Sequence, residues 1–79
     1  MNNQEKYRKV FAEILSLDAA QFENDIAYNS IPQWDSIGHM TLIAALEETF
    51  GITMETDDII NFSSFLKGCE ILAKYGVVF

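Results

Sequence analysis

Cysteine is nearly missing from this sequence. Cys69 stands alone among 79 residues, so no internal disulfide can close. A single histidine, His39, offers no cluster from which a structural metal site could be built. No run of about 20 apolar residues is present to cross a bilayer. The polar start Met1-Asn2-Asn3-Gln4-Glu5-Lys6 lacks the apolar stretch of a secretory signal, and a cytoplasmic location is the expectation. Cations are scarce as well: five Lys and Arg face twelve Asp and Glu, for a net charge of −7. Such a field repels nucleic-acid phosphates, which excludes them as expected partners.

With no staple and no metal, stability must come from packing one modest core, and a hydrophobic content of 49% suffices for that. We read residues 1–79 as one domain and Cys69 as a small buried hydrophobe. The charge is placed unevenly. Residues 1–16 carry Lys6, Arg8 and Lys9 against Glu5 and Glu13, and residues 62–79 carry Lys67 and Lys74 against Glu70. Between them, residues 17–61 hold nine acids and no Lys or Arg. That middle segment is where a basic protein surface would be drawn.

Tyr7, Val10, Phe11, Ile14 and Leu15 recur at helical spacing, predicting an amphipathic helix over about residues 3–16. Residues 17–35 hold no sustained period, and Pro32 disfavours helix at Ile31. A loop this long usually serves function or is pinned by side chains; Leu17, Phe22, Ile26 and Ile31 are the candidate anchors. Residues 36–50 form a second helix, with Asp35 and Ser36 both suited to cap its start and Gly51 its end. Thr56 can cap a short third helix that turns Ile59, Ile60 and Phe62 inward. A fourth, capped by Ser63 or Ser64, runs to about Tyr75 with the stripe Phe65, Leu66, Cys69, Leu72 and Ala73. The expected fold is all-α: a small bundle of three main helices plus one short helix.

The second helix has two apolar sets. Leu42, Ile43, Leu46 and Phe50 share a core face, whereas Ile37, Met40 and Ala44 lie on another that runs on into Glu47 and Glu48. Acids at the C-terminal end oppose the helix dipole, so helix stability does not account for them. Apolar knobs beside carboxylates suit docking of a partner with an apolar groove and basic rim.

The run Trp34-Asp35-Ser36-Ile37-Gly38-His39-Met40-Thr41-Leu42-Ile43-Ala44-Ala45-Leu46-Glu47-Glu48-Thr49-Phe50-Gly51-Ile52 resembles the Asp-Ser-Leu segment and second helix of acyl carrier proteins. The likeness extends along the whole chain: amphipathic first helix, long loop, Asp-Ser, short acidic helix, closing helix. It implies that a phosphopantetheinyl transferase moves the 4'-phosphopantetheine of coenzyme A onto Ser36. It further implies that Asp35 helps organise Mg2+ in the transferase complex, and that acyl-loading and acyl-transferring enzymes with basic patches are the partners of a monomeric carrier. The chain itself is then no enzyme. Ser36 and His39 are helix neighbours, but no orienting acid or nucleophile turn accompanies them.

Trp34, Gly38 and Thr41 depart from common fatty-synthesis carriers, which points to a specialised lipid, secondary-metabolite or polysaccharide pathway. Trp34 either anchors the loop or contributes to partner recognition. Two alternatives remain open at this point: a discrete aminoacyl or peptidyl carrier, and a non-carrier helical adaptor in which Ser36 is a plain cap.

Overall fold

Asn2 begins the first ordered element: its side chain accepts the Glu5 N–H at 2.8 Å and caps α1, Asn3–Ile14. The computed structural model describes residues 2–17 and 26–79. Three further helices follow, α2 (Ser36–Phe50), α3 (Thr56–Asn61) and α4 (Phe65–Lys74), and the described residues contain no strand. The expected bundle is therefore present, with α3 as its short member. No described helix is long and apolar enough to cross a membrane.

The α1 stripe turns inward as its spacing predicts. Tyr7, Phe11 and Leu15 are buried, and Val10 and Ile14 pack against them. Phe11 is the hub: its ring meets Tyr7 at 4.9 Å, Phe65 at 4.9 Å and Trp34 at 5.4 Å, each edge-on. Each such side chain removed from water contributes about 1.5–3 kcal/mol, and edge-on ring pairs add to it. On α2, Leu42, Ile43 and Leu46 are buried and Phe50 half-buried. Gly51 ends the helix in the left-handed conformation, φ 65°, with its N–H on the Glu47 carbonyl.

Three expectations need correction. Glu55, not Thr56, occupies the N-cap position of α3, and no side chain bonds there. Ile60 is 71% exposed, because the inward face of α3 carries Asp58 and the half-buried Ile59 and leaves Ile60 on the outer side. Of the two caps expected for α4, Ser64 is the one used, its hydroxyl accepting the Lys67 N–H. The buried face of α4 is Gly68, Ile71 and Leu72, with Phe65 and Cys69 half-buried, while Leu66 and Ala73 face solvent. The glycine explains that phase. A Cβ on Gly68 would run into the Phe62 ring and the Tyr7 hydroxyl, so α4 presents its bare backbone to them. Tyr7 in turn donates to the Phe65 carbonyl at 2.6 Å.

The loop before α2 is tied down by main-chain bonds. Phe65 N–H donates to Ile26 O and Tyr28 N–H to Ser63 O, both at 2.8 Å, around an isolated antiparallel bridge between Ala27 and Ser64. Ile26 is buried and Leu17 and Ile31 pack against the core; the fourth anchor, Phe22, lies outside the described residues.

Asp58 is the buried acid that joins α3 to α4. It accepts from Lys74 Nζ at 2.6 Å and from the Tyr75 hydroxyl, and Tyr75 accepts the Glu55 N–H at 2.8 Å. The Lys74 hydrogen bond, then that of Tyr75, holds the Asp58 carboxyl below its ordinary 3.8, outweighing the cost of burial. The same bond to Asp58 raises Lys74 above 10.5 and Tyr75 above 10.0. A carboxylate with a depressed folded-state pKa stabilises the fold above its ordinary value and loses that contribution as pH falls through the lower one. The raised Lys74 and Tyr75 contribute below their ordinary values and lose it as pH rises through the elevated ones. Thermal unfolding of wild type and Asp58→Asn is thus expected to differ at neutral pH and converge as pH falls below about 4. A gap between their melting temperatures that stays constant down to pH 2 would remove this linkage.

Candidate functional site

Asp35 and Ser36 divide the start of α2 between them. Asp35, in extended conformation, is the N-cap, and its Oδ1 accepts the Gly38 N–H at 2.8 Å. Ser36 is the first helical residue and is exposed. The plain-cap reading of Ser36 therefore fails, since the capping bond belongs to its neighbour. The Ser36 hydroxyl instead meets the Tyr28 hydroxyl at 3.1 Å.

Behind this turn the loop passes close to α2. A Cβ on Gly38 would collide with the Gln33 carbonyl, a backbone atom that a side-chain rotation cannot relieve. Glycine, which costs about 1 kcal/mol of helix propensity relative to Ala, is here the residue that lets loop and helix touch. Trp34 is fully buried and stacks on His39, with ring centroids 6.1 Å apart and planes 20° from parallel. Of its two expected roles, anchoring is the one its burial permits.

His39 is aimed away from Ser36. Its Nδ1 accepts from Trp34 Nε1 at 2.9 Å, so its Nε2 carries the proton and donates to the Ile59 carbonyl at 2.9 Å. Both ring nitrogens are engaged, Nδ1 with the loop residue Trp34 and Nε2 in clamping α3 to α2. No base is therefore turned toward the Ser36 hydroxyl from this ring, and nucleophilic catalysis by a Ser36–His39 pair has no geometric support.

Ile37 and Met40 are 79% and 58% exposed, and Ala44 and Glu48 are exposed with them on the outer face of α2. Glu47 departs from that set. It is only half-exposed, and its Oε2 accepts the Met54 N–H at 2.8 Å, fixing the turn that leads to α3. This bond, seven residues along the chain, is a stabilising reason for the acid that the helix dipole does not disclose.

Beside Ser36 lies a groove of about 310 Å3, lined by Tyr28, His39, Met40, Ile59, Ile60, Phe62 and Ser63. Tyr28 was not singled out from sequence, and Ile60 was assigned there to the core. A tyrosine in a polar loop eight residues before Ser36 is the one signal that could have drawn notice to the first. Ile60 extends the exposed apolar strip from α2 onto α3.

A family model described as phosphopantetheine attachment site matches residues 6–67. No curated protein and no solved structure matches the chain. Members of that family carry covalently attached 4'-phosphopantetheine. The site fits such a group: a hydroxyl stands exposed in the first turn of a 15-residue helix, where backbone N–H groups and the dipole favour a phosphodiester. The adjoining groove is open and mostly apolar in lining, with Tyr28 and Ser63 as polar contributors.

Proposed function

We propose, since the chain belongs to the phosphopantetheine-attachment family of carrier domains, that it is an acyl carrier protein with Ser36 as its attachment point. Once bound, the group supplies a thiol on which an acyl chain is held as a thioester. The chain's own part is positional. The observation that carries this reading is the separation of roles at the start of α2: Asp35 holds the helix end, and Ser36 is left exposed for a visiting transferase. Asp35 keeps an exposed carboxylate for organising Mg2+ in that complex. The strip Ile37, Met40, Ala44 and Glu48, to which we add Ile60, is the surface we assign to docking of partner enzymes with basic patches. Glu47 belongs to it only in part, because its carboxylate serves the Met54 turn.

Acidity concentrated in residues 17–61 favours an acyl over an aminoacyl or peptidyl carrier. The departures at Trp34 and Gly38 have packing reasons, so Thr41 is the residue that chiefly favours a specialised pathway. Thr41 bonds back to the Ile37 carbonyl at 3.0 Å and puts no charge on the docking face.

Intact-mass measurement after incubation with coenzyme A, Mg2+ and a broad-specificity transferase tests the reading. One phosphopantetheine-sized gain is expected, located by fragmentation to Ser36. A folded wild-type chain that gains nothing across several transferases sinks it. In the same assay at low salt, where surface charges act over about 30 Å, Glu48→Lys is expected to slow loading. Equal rates would take Glu48 out of the interface.

A further inference from the structure

Tyr28 is held in place from three sides. Its N–H donates to Ser63 O at 2.8 Å, and the next residue, Asn29, with φ 64°, donates its N–H to Trp34 O at 3.0 Å. Ser30 closes the turn, its hydroxyl donating to Ala27 O at 2.6 Å and accepting the Ala27 N–H at 3.1 Å. The phenol ring stands edge-on to His39 at 5.3 Å and to Trp34 at 6.3 Å. With its backbone anchored by these bonds and its ring against His39 and Trp34, Tyr28 places its hydroxyl 3.1 Å from Ser36 Oγ.

We infer that Tyr28 is a positioning residue for Ser36, orienting its hydroxyl for phosphoryl transfer and then donating a hydrogen bond to the attached phosphodiester. The inference rests on the reading of Ser36 as the attachment point. In that reaction Ser36 Oγ forms a bond to the pantetheine-bearing phosphorus of coenzyme A. The bond from that phosphorus to adenosine 3',5'-bisphosphate breaks, the leaving group takes the electron pair, and the Ser36 proton passes to a base on the transferase.

Before transfer, either hydroxyl of the Tyr28–Ser36 pair can be the donor. After transfer the ambiguity ends. Ser36 Oγ has become an ester oxygen without a proton, and the phosphodiester oxygens only accept. Tyr28 is then the donor, and a hydrogen bond to an anion is stronger than the neutral one it replaces. The same phenol therefore serves both states, and its bond strengthens as the product forms.

Tyr28→Phe removes the hydroxyl and keeps the ring against His39 and Trp34, so the melting temperature of the apo chain is expected to hold. With the apo chain as varied substrate, kcat for loading is expected to fall about tenfold with KM unchanged, the equivalent of one lost hydrogen bond. The 31P resonance of the loaded chain is expected to move relative to that of loaded wild type at the same pH. An unchanged kcat, or a 31P resonance at the wild-type position, overturns the inference. Failure of wild type itself to accept the group overturns the carrier reading instead, before Tyr28 is changed.

Discussion

Trp34→Ala is expected to lower stability by about 3–5 kcal/mol, the range for deleting a large aromatic from a packed core. The side chain has no exposed surface and touches the rings of Phe11, Phe62, His39 and Tyr28. Its loss also strips His39 Nδ1 of its donor, which frees the clamp on Ile59. A domain of this size has a total stability of about 4–12 kcal/mol, so a large share of the margin goes with one residue. The melting temperature should fall by about 15–30 °C. Trp34→Phe helps to separate the two contributions, since it keeps part of the packing while removing the indole N–H entirely. Urea titrations of the three chains at neutral pH measure this; a Trp34→Ala loss under about 1 kcal/mol would mean the site collapses without a cavity.

Ser36→Ala should abolish loading while leaving the fold as stable as wild type, within about 0.5 kcal/mol. The exposed hydroxyl has one bond, to Tyr28, and alanine is a good helix former in the first turn. Asp35 behaves in the opposite way. Asp35→Ala removes the bond to Gly38 N–H and should cost about 0.5–2 kcal/mol. Asp35→Asn keeps a capping oxygen and discards the charge, so stability should stay within a few tenths of a kcal/mol while loading slows. Intact mass for loading and thermal melts for stability, run on all three variants, read the two roles independently. Loading of Asp35→Asn at the wild-type rate would confine Asp35 to the cap.

The parts of this fold that were legible in sequence are those carried by large apolar side chains at helical spacing. α1 announces itself through Tyr7, Phe11 and Leu15, and the core face of α2 through Leu42, Ile43 and Leu46. α4 was misread because its closest contact is made by Gly68, a residue that hydrophobic periodicity does not count, so its phase drifted onto Leu66 and Ala73. Asp58 reads in sequence as a first-turn acid that favours the dipole; its partners Lys74 and Tyr75 come from another helix, which no local pattern discloses. The site divides along the same line. Asp35-Ser36 was found from residue type and setting, but which of the two caps the helix depends on backbone conformation. Tyr28 reached the site through its own bond to Ser63 and that of its neighbour Asn29 to Trp34.

The chain contains one tryptophan. It sits two positions before Ser36, sealed from solvent, with an imidazole on its indole nitrogen. An indole in that setting emits to the blue of a hydrated one, and with no second fluorophore of its kind the signal comes from a single address. The protein thus carries a built-in optical gauge of the start of α2. Opening of the α2–α3 clamp, whose His39 receives the indole N–H, is expected to shift that emission and can be followed in real time, without a label.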